Sequence, residues 1–154
     1  MNNNLHLLIP KSSRPVWGET LEETLFSAEP LVEIPLLGKV TAGLPIEMVE
    51  EQESVSIPRN MVRKESYALR VVGESMVDDN IQDGDIIVVE RKESAANGQS
   101  VIAMINNEEV TLKKLYIEKG GVRLQPANSA MSPIYLRNED VKILGIVSAV
   151  IRKP

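Results

Sequence analysis

Ser75 stands in a turn between two apolar stretches, and a serine held there could act as a nucleophile. Gly73 lets the backbone bend where a side chain would clash, so that Ser75 would sit at the end of a strand. Its hydroxyl and its own N–H would then face a cleft. The plain structural alternative is an ordinary Gly-Ser turn between two buried strands. This stretch alone leaves both interpretations open.

A nucleophilic serine needs a neighbouring base, and the composition restricts which base is available. The chain has no cysteine, and its single histidine, His6, lies in a polar amino-terminal segment. A histidine-based triad is therefore not expected in this chain. A lysine can serve instead when burial disfavours its charged form, because the neutral amine accepts a proton. Ser-Lys pairs are a known variant of the triad.

The stretch from Glu109 to Leu115 supplies two lysines inside an otherwise apolar strand. Alternation along a strand puts Lys113 on the face of Thr111 and Leu115, and Lys114 on the face of Val110 and Leu112. Periodicity does not choose between the two faces. Viewed in isolation, the stretch favours a plainer interpretation, in which both lysines are exposed on an edge strand.

Two acidic clusters invite a metal-site interpretation, which the residue types do not support. No histidine or cysteine accompanies the first, and the second lacks the EF-hand spacing with its closing glutamate. We expect solvated loop faces and turn residues, and we predict no metal and no cofactor. The clusters are Glu47, Glu50, Glu51 and Glu53, and then Asp78, Asp79, Asp83 and Asp85.

The elements that must position these groups are short strands. From Val32 onward, apolar runs are broken by Gly, Pro and Asn at intervals of about ten residues, which is typical of an antiparallel β sandwich or barrel. Hairpin turns are predicted at Asn97-Gly98, Asn106-Asn107 and Gly120-Gly121. Single helical turns are plausible at 58–63 and 76–79. The predicted strands are 32–37, 45–49, 66–72, 85–90, 99–105, 109–116, 121–125, 134–136 and 142–151.

The chain is predicted to form one mainly β domain, residues 32–154, preceded by a short and mostly irregular arm, residues 1–31. Within the arm, Thr20-Leu21-Glu22-Glu23 fits a capping box and favours one short helix. A length of 154 residues suits one domain and not two. With 43% apolar residues, 25% charged residues and no long apolar run, the composition predicts a cytoplasmic protein without a membrane segment. The net charge of −5 argues against a broad DNA-binding face.

Several ordered motifs together resemble one family over the region from Val32 to the end. They resemble the carboxy-terminal domain of LexA-type repressors and UmuD-type proteins, which are self-cleaving, S24-like peptidases. The fold implied is a LexA/signal-peptidase-like antiparallel β domain. A signal peptidase itself is disfavoured, since no membrane anchor is present. The motifs are Gly73-Glu74-Ser75-Met76, Asp83-Gly84-Asp85, Asn97-Gly98, Val110-Thr111-Leu112-Lys113-Lys114-Leu115, Pro126-Ala127-Asn128-Ser129 and Gly145-Ile146-Val147.

The resemblance assigns roles to particular residues. It implies that Ser75 is the nucleophile and that Lys113, rather than Lys114, is the base. It also implies that the chain cuts itself between Ala42 and Gly43, in a cleavage loop near residues 38–50. Backbone N–H groups of Glu74 and Ser75 are expected to stabilise the oxyanion. Small residues on both sides of the bond suit this role, because an extended backbone can then approach the serine closely.

The resemblance also implies partners, and it leaves alternatives. A RecA–single-stranded DNA filament would favour the docked loop, and the domain would dimerise, with the apolar final strand, Ile143 to Ile151, as a candidate surface. Only about forty residues precede the predicted cut, so the first interpretation is a truncated LexA-like repressor of the SOS response to DNA damage. DNA binding is then expected only if an amino-terminal domain is supplied. A UmuD-like polymerase accessory protein is one alternative. A non-enzymatic dimerisation module is another.

Overall fold

Short apolar runs become ten β-strands in the computed structural model, which describes residues 16–18, 30–40 and 47–153, and the side chains of 30–40 and 53–153. Three single 3₁₀ turns lie among the described strands, at Arg59–Met61, Val77–Asp79 and Asn138–Asp140. The strands are β1 Val16–Gly18, β2 Leu31–Val40, β3 Glu47–Pro58, β4 Ser66–Val71, β5 Ile86–Glu90, β6 Ser100–Ile105, β7 Glu109–Glu118, β8 Gly121–Gln125, β9 Ile134–Arg137 and β10 Val141–Arg152.

The mainly β prediction is confirmed, with all nine predicted strands present. The first two are longer than predicted, because β2 and β3 pair with each other along most of their lengths. An additional strand, β1, lies in the predicted arm and pairs with the end of β10. The predicted short helix at Thr20-Leu21-Glu22-Glu23 lies outside the described residues.

Most strand pairs are antiparallel, as the predicted fold class requires, and two strand pairs are parallel. These are β1 with β10 and β2 with β4. Both join segments that are distant in sequence, and hairpin-like spacing cannot reveal such pairs. The strands form one mixed sheet in the order β3-β2-β4-β5-β10-β6-β7-β8-β9, with β1 joined to β10.

Two of the three predicted hairpin turns are present. Asn106 and Asn107, with φ of 53° and 59°, join the paired strands β6 and β7, and Gly120, with φ of 82°, joins β7 and β8. The third prediction is wrong: Asn97-Gly98 precedes β6, but β5 and β6 are not neighbours, since β10 lies between them. Gly98 instead donates its N–H to Leu115 O at 2.7 Å.

Strand β10 joins the two halves of the sheet. Its first half, from Val141, pairs with β6, and its second half, ending at Ile151, pairs with β5, with Ile146 shared. At Gly145 a Cβ atom would lie 2.8 Å from Glu90 O. Glycine therefore lets the two strands approach closely where the halves meet. Because β10 lies inside the strand order, it is not an edge strand, and its role as a dimer surface stays a prediction.

The parallel pairing of β2 with β4 sets the geometry of the site. Val40, the last residue of β2, is opposite Val71, the last residue of β4, and Val72 donates its N–H to Val40 O at 3.0 Å. Parallel strands end at the same edge of a sheet. Val40 and Val71 therefore mark the ends of β2 and β4 at one edge of the sheet.

Three apolar clusters form the core. The largest combines residues of β4, β5, β6, β7 and β10 with Met76, which follows β4. A second lies under β2 and β3, and a third lies between β6, β7 and β8. Within the described part of the chain, no helix is long and apolar enough to cross a membrane.

Candidate functional site

The turn that carries Ser75 begins where β4 ends. Val71 donates its N–H to Asp85 O at 2.8 Å and accepts the Gly84 N–H at 2.8 Å, so the two ends of the turn are joined. Gly73 has φ of 95°, which a residue with a side chain rarely adopts, and its N–H is bound by Asp83 Oδ1 at 2.8 Å. Ser75 itself is half-buried. The predicted turn is therefore present, with Gly73 at its bend.

A second loop, residues 126–129, forms hydrogen bonds to this turn, and we call it the clamping loop. Asn128 Nδ2 donates to Glu74 O at 2.7 Å, and Asp78 N–H donates to Ala127 O at 2.7 Å. Ser129 N–H donates to Asp78 Oδ2 at 3.1 Å. These three hydrogen bonds join segments about fifty positions apart in sequence, so the Ser75 turn is fixed by the tertiary fold and not by local sequence alone.

Lys113 is buried in β7, with an exposed fraction of 2%. Its Nζ donates to Thr111 Oγ1 at 2.6 Å and to Leu112 O at 3.2 Å. Both acceptors are neutral, and none of the described carboxylates forms an ion pair with this lysine. Burial lowers the pKa of Lys113 from 10.5 to about 8. At pH 7 about one tenth of the amine is then neutral.

Lys114, the next residue, has a different environment. Its Nζ lies 3.7 Å from Asp79 Oδ1, and Ser100 Oγ donates to the other oxygen of the same carboxylate at 3.1 Å. The plainer sequence interpretation, two exposed lysines on an edge strand, is wrong. Strand β7 lies between β6 and β8, and Lys113 is among the least exposed residues of the chain.

The structure places the Ser75 turn beside the part of β7 that carries the two lysines. Met76 belongs to the same core cluster as Leu112, and Asp79 reaches Lys114. Among the described residues, no hydrogen bond joins Ser75 to Lys113. The two predicted catalytic residues thus lie on neighbouring elements, and their pairing stays a prediction.

The predicted cleavage site, Ala42 and Gly43, lies outside the described residues. The chain leaves β2 at Val40, two positions before Ala42, and there Val40 O accepts the Val72 N–H. Val72 is in turn three positions before Ser75.

The acidic residues of the turn act as structural partners. Asp83 and Asp78 bind backbone N–H groups, and Asp85 binds the guanidinium of Arg152 at 2.8 Å. In the described residues, no cluster of histidine, cysteine, aspartate and glutamate side chains could hold a metal ion. Glu53 is exposed, and the side chains of Glu47, Glu50 and Glu51 lie outside the described part.

Two residues of the site carry roles that sequence reasoning missed. Alternation puts Thr111 on the face of Lys113, and the hydrogen bond between them agrees with that placement. The sequence shows Asn128 only as part of the motif Pro126-Ala127-Asn128-Ser129. Its contact with Glu74 spans 54 positions in sequence, and no local sequence pattern predicts such a contact.

Comparisons with known proteins show the family to which the chain belongs. The chain matches the peptidase S24-like family over residues 35–148. It is 41% identical over 145 residues to the LexA repressor of Clostridium novyi (strain NT), a match covering 92% of this chain and 70% of that protein. It is 44% identical over 144 residues to the LexA repressor of Desulforamulus reducens, covering 92% and 64%. For the LexA repressor of Syntrophobacter fumaroxidans the identity is 44% over 122 residues, covering 79% and 59%. The chain thus spans about three fifths to seven tenths of the length of these relatives.

Proposed function

The chain belongs to the peptidase S24-like family, and we propose that it is a LexA-like, self-cleaving serine peptidase that cuts its own Ala42-Gly43 bond. The observation that carries this proposal is the burial of Lys113 among neutral acceptors. A fully buried lysine without a carboxylate is costly for stability. Such a residue suits a catalytic role, in which its neutral form is the useful one.

The two acceptors of Lys113 also orient its lone pair. A neutral amine has two N–H bonds and one lone pair, arranged tetrahedrally. Thr111 Oγ1 and Leu112 O can accept both N–H bonds. The lone pair then points in the remaining direction, away from these acceptors. In the proposed reactive state it accepts the hydrogen bond of the Ser75 hydroxyl.

The reaction proceeds through an ester of Ser75. Lys113 Nζ takes the Oγ proton as Ser75 Oγ attacks the carbonyl carbon of Ala42, and the carbonyl oxygen becomes an oxyanion held by the N–H groups of Glu74 and Ser75. The C–N bond to Gly43 then breaks, and the Lys113 ammonium returns its proton to the departing amine. Water, deprotonated by Lys113 in turn, hydrolyses the ester. This second step releases the Ala42 carboxylate and restores the Ser75 hydroxyl.

The parallel pairing of β2 and β4 supports an intramolecular substrate. Strand β2 ends at Val40, beside the start of the Ser75 turn, and the proposed substrate bond follows two positions later in the same chain. A tethered bond reacts at a rate set by how often its loop is docked, and not by the concentration of substrate. Control of the docked state is therefore the natural point of regulation.

We assign the regulation and the partners from the LexA-like character of the chain. The proposed setting is the cytoplasmic SOS response to DNA damage, in which a RecA–single-stranded DNA filament favours the docked loop. A second copy of the chain is the proposed dimer partner. In this proposal cleavage ends repression by separating the two sides of the Ala42-Gly43 bond.

The test is mass spectrometry of the purified chain after incubation at pH 7 and pH 10. We expect two fragments that meet at Ala42 and Gly43, formed roughly tenfold faster at pH 10, since a base with a pKa of about 8 is only about one tenth neutral at pH 7. Ser75→Ala should give no fragments, whereas Ser132→Ala, at an exposed serine, should behave as the unmodified chain. A chain that stays intact at both pH values and with activated RecA filament would overturn the proposal.

A further inference from the structure

Asn128 holds the peptide group that immediately precedes the side chain of Ser75. Its Nδ2 donates to Glu74 O at 2.7 Å, and its Oδ1 accepts the Ala130 N–H at 2.9 Å. These two contacts use the donor and the acceptor ends of one amide, so its orientation is fixed by both partners. The side chain is half-buried and lies in the loop that clamps the Ser75 turn.

The carbonyl held by Asn128 belongs to the same peptide unit as the Ser75 N–H. No described peptide bond is cis, and in a planar trans unit the C=O and the N–H point in opposite directions. Binding Glu74 O on the side of the clamping loop therefore directs the Ser75 N–H away from that loop. Among the described residues, no acceptor receives a hydrogen bond from the Ser75 N–H.

We propose that Asn128 is a positioning residue, which orients the Glu74–Ser75 peptide so that the Ser75 N–H faces the developing oxyanion. This inference rests on the proposed function. A rotated peptide would direct the Glu74 carbonyl oxygen at the oxyanion, where its partial negative charge would oppose the reaction. The other hydrogen bond to Glu74 O comes from Val77 N at 3.5 Å, which is too long to fix the plane without Asn128.

The substitution Asn128→Asp tests the orientation while retaining the shape. The carboxylate can still accept the Ala130 N–H, but it has no donor for Glu74 O and repels that oxygen. We expect the rate of self-cleavage to fall by at least about tenfold, approaching the 10²–10³ lost when an oxyanion donor is removed. The midpoint of the pH–rate profile should stay unchanged, because Lys113 is untouched. If Asn128→Asp does not fold, as judged by circular dichroism, Asn128→Ala removes the same donor without adding charge.

Asp78→Ala is the matched control. It removes the Asp78 Oδ2 contact with Ser129 N–H, which joins the same two segments, but leaves the hydrogen bond to Glu74 O in place. Both variants should lower the melting temperature, and Asp78→Ala should cleave within about threefold of the unmodified chain. Equal slowing by the two variants, or normal cleavage by the Asn128 variants, would overturn the inference. Failure of the unmodified chain to cleave would instead overturn the proposed function.

Discussion

Lys113 and Lys114 are adjacent in the sequence, and the two sides of β7 give them opposite environments. Lys113 meets only neutral oxygens and is buried, whereas Lys114 faces a carboxylate that Ser100 also binds. An ion pair stabilises the charged form of a lysine, and burial without one stabilises the neutral form. The same side chain is thereby a structural cation on one face of the strand and a candidate base on the other.

The difference follows from strand geometry. Successive side chains point to opposite faces, so one position along β7 changes every neighbour. Lys114 shares its face with Leu112 and is directed to the Ser75 turn through Asp79. Lys113 shares its face with Thr111. The candidate base and the ion-paired lysine thus differ by one position along β7. Exchanging their environments would require a shift of one residue in the register of β7.

Replacing each lysine in turn by methionine, which has a similar length and no charge, should affect self-cleavage very differently at the two positions. Lys113→Met should lower the rate of self-cleavage by at least about a thousandfold, since it removes the base. Lys114→Met should lower the rate by no more than about tenfold, through a looser Asp79 contact. Fragment formation measured by mass spectrometry at pH 8 compares the two. Equal loss in both variants would show that Lys113 has no special role.

The buried Lys113 should also make the free energy of unfolding depend on pH. Its pKa is about 8 in the folded chain and 10.5 in the unfolded one, so between these values the unfolded state binds more protons. The free energy of unfolding should therefore rise with pH across this window, by roughly 3 kcal/mol in total. Below about pH 8 Lys113 is protonated in both states. The buried charge then lowers the free energy of unfolding by the full difference of roughly 3 kcal/mol.

The measurement is urea unfolding at intervals from pH 7 to pH 11, comparing the unmodified chain with Lys113→Met. Other titrating groups affect both proteins and cancel in the difference. At pH 7 the free energy of unfolding should be higher for Lys113→Met than for the unmodified chain. This difference should become smaller between pH 8 and pH 10.5. A difference that does not change with pH would mean that Lys113 keeps its ordinary pKa in the folded chain.

The sequence predicted the strands well, because alternation and turn residues are local signals. The asparagine pair Asn106-Asn107 marked a true hairpin by its tolerance of positive φ. The same logic failed at Asn97-Gly98, where the following strand pairs with β10 and β7 instead of the preceding strand. A turn residue reports local backbone conformation, and it carries no information about which strand will be the neighbour.

In the candidate site, too, local features were predicted from the sequence and long-range contacts were not. Ser75 and its turn were predicted from Gly73, and the sharing of a face by Thr111 and Lys113 was predicted from alternation. The choice of Lys113 over Lys114 needed the family resemblance, since burial depends on what covers each face. The hydrogen bond from Asn128 to Glu74 O and the parallel pairing of β2 with β4 are long-range contacts. Such contacts are set by the tertiary fold, and the residue types alone do not encode them in a readable form.

The smallest expected effect comes from Thr111→Val, which retains the shape of a residue with an exposed fraction of 1% and removes its oxygen. The hydroxyl stabilises the ammonium form of Lys113 more than the neutral amine, because a hydrogen bond to a charged donor is the stronger one. Its loss should lower the pKa of Lys113 and move the midpoint of the pH–rate profile down by about half a unit to one unit. The plateau at high pH should fall by about threefold, because the amine then lacks one of the two acceptors that orient it.

The matched control for this change lies on the other side of the strand. Ser100→Ala removes the hydrogen bond to Asp79 at 3.1 Å, on the side of the strand that carries Lys114. It should cost about 1 kcal/mol of stability and leave the midpoint of the pH–rate profile in place. If Ser100→Ala moved the midpoint as far as Thr111→Val, the two faces of β7 would be coupled. If Thr111→Val moved it upward, the hydroxyl would favour the neutral amine, and its role would be to prepare the base and not to hold the charge.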